Sequence, residues 1–148
     1  MSGDLDVMTL AVEIRRVGQA DAALFDQVAP DVFDAPIDPE RLSVYLAAPG
    51  HLMIVARQEG VVIGQVAALL HRHPDKPTQL YIDEVAVTPA MRRRGIARRM
   101  LTDMLVWGRE QGCAEVWVGT ECDNVAARGL YESLDAAPVP FMLYLSAL

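Results

Sequence analysis

The hydrophobic period changes twice between residues 79 and 120, and this limits the folds open to the 148-residue chain. Residues 79–87 read as a strand, closed by Thr88-Pro89. Over 95–111 the apolar positions Ile96, Ala97, Met100, Leu101, Met104, Leu105 and Gly108 recur every three or four residues, while Arg98, Arg99, Asp103 and Arg109 face away. Gly112 supplies a helix stop, and 114–120 returns to strand. A strand, a crossover helix and a second strand in one sheet run parallel, so this stretch predicts one βαβ unit.

The rest of the chain reads as strands and short helices. Residues 9–17 alternate, with Leu10, Val12 and Ile14 on one face and Glu13 and Arg15 on the other. Helices are expected over 20–28 and 39–47, the second with Asp38 as N-cap, Pro39 at its first position and Glu40 in its first turn. Strands 51–58 and 61–70 flank Glu59-Gly60, a hairpin turn pair, and a polar loop over 71–77 leads into 79–87. A helix over 124–134, stopped by Asp135, Pro138 and Pro140, and a last strand over 141–145 complete the order. The fold class expected is α/β, an α+β sandwich. Its central sheet is mixed and mostly antiparallel, with helices on both faces and one parallel βαβ unit.

An apolar share of 52% and a charged share of 22% suit a packed core rather than a disordered chain. The length predicts a single domain over 1–148. Apolar runs such as Val66-Ala67-Ala68-Leu69-Leu70 fall far short of the roughly twenty residues of a membrane helix. Asp4, Asp6 and Glu13 without a basic segment do not read as a signal peptide, so a cytoplasmic location and no membrane partner are expected. Cys113 and Cys122 lack zinc or redox spacing and read as reduced thiols, with no metal expected. A net charge of −7 argues against nucleic acid as partner and suits a cationic substrate.

The densest chemistry lies in Arg92-Arg93-Arg94-Gly95-Ile96-Ala97. Here a strand has ended and a helix begins, so the first helical N–H groups point into the loop and attract an anion. Gly95 lets backbone approach a phosphate, Ala97 keeps the first turn small, and the arginines add charge. The plainer reading is a solvated basic patch. Against it, basic charge at a helix N-terminus is unfavourable unless an anion compensates it.

The pattern Arg92-x-x-Gly95-x-Ala97 resembles the pyrophosphate loop of the GNAT N-acetyltransferase superfamily. Pro89 and the preceding Asp83-Glu84-Val85-Ala86-Val87 are similar to the strand that leads into that loop. Asn124-x-x-Ala127-x-x-Leu130-Tyr131-Glu132 resembles the superfamily's second motif. The resemblance implies an enzyme with acetyl-CoA as cosubstrate. It implies that backbone from Val85 through Ala86 to Val87 pairs with the pantetheine arm. It further implies that the N–H groups of Arg93, Arg94, Gly95, Ile96, Ala97 and Arg98 hold the pyrophosphate beside Arg92. Asn124 would hydrogen-bond the pantetheine or nearby backbone, and Tyr131 would be the general acid for the departing thiolate. One departure is Leu134-Asp135-Ala136, where the family has Leu-Gly-Phe; Asp tolerates the left-handed conformation that the glycine takes.

An attacking amine must lose a proton, and the resemblance implies Glu84 as its acceptor, with Asp83 as substitute. Regular alternation groups Glu84 with Ile82 and Ala86, and Asp83 with Tyr81 and Val85, so only one carboxylate faces the acceptor unless a bulge re-aims both. Solvated strand carboxylates are the plainer reading of both. Asp31, Asp34, Asp38, Glu121 and Asp123 are further acids for an acceptor pocket, or loop and cap residues. The stretch from Leu24-Phe25-Asp26 through Tyr45-Leu46, with Tyr81-Ile82-Asp83-Glu84, resembles aminoglycoside 3-N-acetyltransferases more than ribosomal-protein acetylases. The activity expected is acetyl transfer to the primary amine of a small cationic molecule. The alternatives are a protein N-terminal or lysine acetyltransferase and a non-catalytic CoA-binding module. A homodimer is compatible with any of these.

Overall fold

The computed structural model describes residues 11–148, so the part of the first strand expected at Thr9 and Leu10 lies outside the described residues. The chain divides after Val118 into two compact units. The larger unit holds five strands among the described residues: β1 (Glu13–Arg16), β2 (His51–Gln58), β3 (Val61–His71), β4 (Gln79–Val87) and β5 (Glu115–Val118), in the spatial order β1-β2-β3-β4-β5. The first three pairings are antiparallel and β4 with β5 is parallel, as the period change in the sequence requires. Glu59 and Gly60 take φ of 51° and 79°, the doubly left-handed turn whose twist suits a two-residue hairpin.

Helices cover both faces. Helix α1 (Pro39–Ala47) lies on one, over a core of Phe25, Val32, Met53, Val55, Val62 and Ala67 that Leu42, Tyr45 and Leu46 help to close. Helix α2 (Ile96–Glu110) is the crossover; it buries Ile96, Met100, Leu101, Met104 and Gly108 at helical spacing against β2, β3 and β4. Contact is closest at two glycines. A Cβ on Gly108 would sit 2.8 Å from Leu80 Cδ2, and one on Gly64 would sit 3.1 Å from Met100 Cε. Arg16 ties β1 to the outside of α2 through Asp103 at 3.0 Å and Glu110 at 2.9 Å. The pairs are part-exposed and fix register more than they add stability.

Four expectations need correction. The helix expected over 20–28 is a 3₁₀ turn, Ala22–Asp26, because the next residues are drawn into extended pairing: Gln27 O accepts from Val62 N, and Ala29 N donates to Val62 O. Asp38 stands at the N-cap of α1 without capping it; its carboxylate lies 3.6 Å from Arg41 Nε instead. The strand over 114–120 is shorter, Glu115–Val118, and ends where its parallel ladder to β4 ends. The strand over 141–145 does not form. Its alternation describes side chains, whereas a strand needs a backbone neighbour, and Phe141, Leu143 and Leu145 are exposed without a ladder.

The smaller unit, from Gly119 onward, contains α3 (Val125–Ser133). Asn124 caps it by accepting from Ala127 N at 3.1 Å. Asp135 takes φ of 65°, the left-handed turn expected at that position, and Ala136 N donates back to Tyr131 O at 3.1 Å.

Candidate active site

The register of β4 decides where its carboxylates point. Val85 lies opposite Val66 and Glu84 opposite Ala67, but the next pair is Ile82 with Ala68, so Asp83 is an extra residue in a β-bulge. Neighbouring positions on β3 face opposite ways, and so do Glu84 and Ile82. Regular alternation, which put them together, is overturned by this bulge. Ile82 is buried in the core, while Glu84 shares the α1 face with Ala67.

At the same point β5 stops: its ladder runs from Gln79↔Glu115 to Ile82↔Val118 and no further. Val85, Ala86 and Val87 keep their pairing with β3, and their other edge carries no strand ladder among the described residues. A strand edge without a ladder is a template for an extended ligand, although here the Val87 carbonyl already accepts from Arg92 Nε.

The electrostatics place both carboxylates in one neighbourhood. Burial pushes the Glu84 carboxyl up, with Asp34 and then Asp83 adding to it. Burial also raises Asp83, opposed by a backbone hydrogen bond and by His51. Tyr45, on α1, is held well above the usual phenol range by burial first and then by Asp83 and Glu84. Its hydroxyl is buried without a hydrogen-bond partner, and its ring meets His51 edge-on at 5.4 Å. Asp34, though exposed, lies close enough to Glu84 to act on it. Tyr45, which the sequence named only as part of a resembling stretch, and His51, which it did not single out, lie beside these carboxylates. Asp31 and Asp38 are exposed, and Asp38 is engaged with Arg41. Glu121 and Asp123 form the turn before α3 through their backbone carbonyls.

The loop after β4 has the geometry of an anion cradle. Arg93 and Gly95 both take left-handed φ, 64° and 75°, within a short turn before Ile96 opens α2. Arg99 N donates to Gly95 O at 3.0 Å, so the amides of Gly95, Ile96 and Ala97 lead the helix. No side chain caps this end. A left-handed arginine is strained, and such strain collects at binding sites. Arg92, Arg93 and Arg94 are all exposed, and the Arg92 side chain folds back along the surface, its Nε donating to Val87 O at 3.1 Å.

In the smaller unit, Tyr131 is a half-buried residue of α3, and burial pushes its phenol up. Asn124 spends its side-chain oxygen on Ala127 N, the backbone option among its two expected roles. No group of three His, Cys, Asp or Glu that could hold a metal gathers among the described residues. No described helix is long and apolar enough to cross a membrane.

Comparison with known proteins bears on this arrangement. The chain is 31% identical over 135 residues to the N-alpha-acetyltransferase RimI of Mycobacterium tuberculosis, covering 90% of this chain and 81% of that one. It is 27% identical over 85 residues to aminoglycoside N(6')-acetyltransferase type 1 of Salmonella typhimurium, covering 54% and 58%. Among solved structures, an aminoglycoside acetyltransferase from an uncultured soil metagenomic sample, in complex with sisomicin, superposes with a TM-score of 0.78 at 20% identity. It covers 97% of this chain and 99% of that one. The RimI likeness sets a protein acetylase beside the aminoglycoside enzymes, and the Salmonella enzyme acts at N(6') rather than at the 3-N position. The Acetyltransferase (GNAT) family model matches residues 22–135, and the chain belongs to that family of N-acetyltransferases.

Proposed function

We propose that this enzyme moves the acetyl group of acetyl-CoA directly to a primary amine of a small cationic molecule, of the aminoglycoside or polyamine kind. The observation that carries the reading is the bulge at Asp83. It aims Glu84 at the α1 face, with Asp83 and Asp34 close enough to perturb it, where β4 parts from β5. A cationic amine is drawn to that acidic neighbourhood and gives its proton to Glu84, with Asp83 the second acceptor. A carboxyl raised by burial is the better base near neutral pH.

For the cosubstrate, the left-handed turn and the amides from Arg93 to Ala97 fit a pyrophosphate, and Arg93 and Arg94 add charge from solvent. Arg92 braces the loop from its surface, since its guanidinium is engaged with Val87 O. Arg98, on the first turn of α2, completes the basic rim. Backbone at Val85, Ala86 and Val87 offers an edge for the pantetheine amides. Tyr131 protonates the departing thiolate; its raised pKa keeps the proton available at neutral pH. Asn124 serves by capping the helix that carries Tyr131. The free thiols Cys113 and Cys122 fit a reducing cytoplasm.

A second reading, acetylation of a protein N-terminus, has one specific support, the 31% identity to RimI over 90% of the chain. A thiol-release screen with acetyl-CoA against polyamines, aminoglycosides, amino acids and peptides separates the two. Turnover on small polycationic amines is expected. Turnover confined to peptide N-termini would transfer the assignment to the second reading.

A further inference from the structure

The α1 face of the sheet is covered unevenly. Helix α1 and the 3₁₀ turn pack over β2 and β3, while the β4–β5 half carries rings instead. Tyr81 lies opposite Leu69 and Glu84 opposite Ala67, so the two share a face one pleat repeat apart, about 7 Å along the strand. Trp117 is the β5 partner of Tyr81, and their rings stack at 4.1 Å with planes 20° apart. His71 stands 6.5 Å from Trp117 and 4.2 Å from His73. His73 Nε2 meets Gln79 Oε1 at 2.9 Å, and Gln79 Nε2 donates to Glu115 Oε1, fixing the border of the cluster. Glu115 is two residues from Trp117 and so shares its face. Trp117 nevertheless keeps 40% of its surface exposed, so the stack is a surface and not a core.

We propose that the Tyr81–Trp117 stack is a cation-binding platform for a second ammonium group of the acceptor, which makes the preferred substrates diamines and polyamines rather than monoamines. The inference rests on the reading above, in which Glu84 takes the reacting amine, and deepens it. An aromatic face attracts a cation through its quadrupole, and Glu115 beside Trp117 adds a carboxylate on the same face. The reacting nitrogen at Glu84 and a charged nitrogen on the rings would lie roughly 7 Å apart, one pleat repeat, a span a short diamine reaches and a monoamine cannot exploit.

The test compares 1,4-diaminobutane with butylamine as acceptors, in the parent enzyme and in Trp117→Ala and Trp117→Phe. The diamine is expected to be preferred, with Trp117→Ala raising its KM about fivefold at little change in kcat, and Trp117→Phe keeping most of the preference. Butylamine kinetics should not move. Equal effects on both amines, or no preference in the parent, would overturn the platform. Fluorescence titration supplies a readout that does not depend on turnover. The diamine should perturb the indole signal saturably, and Trp117→Phe, which retains Trp107, should lose that response. If neither amine is acetylated, the titration still decides the platform, and the broader assignment is decided separately by the thiol-release screen; a response equal for both amines, or none, overturns the platform.

Discussion

Gly95 shows how one residue serves folding and binding differently. Its φ of 75° calls for glycine, yet a Cβ there would meet nothing within 4 Å, so the protein itself does not crowd the position. Gly95→Glu is therefore expected to abolish acetyl-CoA binding by calorimetry, a bulky anion now standing where a pyrophosphate must approach. Gly112, with φ of 81° and equally open surroundings, is the control. Gly112→Ala should cost about 1 kcal/mol of stability and leave affinity intact. Glu84 carries a pH signature. Because burial raises its folded pKa, the base form appears at higher pH than for an ordinary carboxylate, and the acid limb of kcat/KM should lie above about 4.3. Glu84→Gln should remove that limb and lower kcat about 10²-fold or more. The stability sign is the reverse of an ion-paired carboxylate. A raised carboxyl favours folding below its unfolded pKa, and that contribution is lost as pH rises through the folded pKa. Denaturant titrations should accordingly find Glu84→Gln no less stable than the parent at pH 7.

At the scale of elements, α2 is the member most sensitive to volume. Gly108→Ala would bring a methyl 2.8 Å from Leu80 Cδ2 and should cost about 1–3 kcal/mol in chemical denaturation, relieved by the paired change Leu80→Val. The helices α1 and α2, the hairpin and the βαβ crossover were legible in the sequence because period and turn chemistry agreed at each. Elements decided by long-range pairing were not. The pull of Val62 on Gln27 and Ala29 shortened the first helix, and the apolar alternation over 141–145 could not say whether a neighbour exists. A bulge in this strand was allowed for, but its place at Asp83 could not be read, since alternation carries side-chain parity but not register, and so the shared face of Glu84 and Ala67 was not legible. The turn that opens α2 was legible down to its left-handed glycine. The left-handed Arg93 and the bond from Arg92 Nε to Val87 O were not, because three arginines in a row look alike in sequence.

The net charge of −7 is unevenly distributed, with Arg92, Arg93 and Arg94 gathered at one loop and Asp34, Asp83 and Glu84 gathered near one another. Exposed charges steer ligands over about 10 Å at 0.1 M salt, so KM for a cationic acceptor should rise with ionic strength while kcat holds. The most direct test of the account is a competition for acetyl-CoA between 1,4-diaminobutane and a peptide with a free N-terminal alanine, with products read by mass spectrometry. Acetylated diamine in excess, lost in Glu84→Gln, is the predicted result. Acetylated peptide as the main product, undiminished in Glu84→Gln, would contradict it.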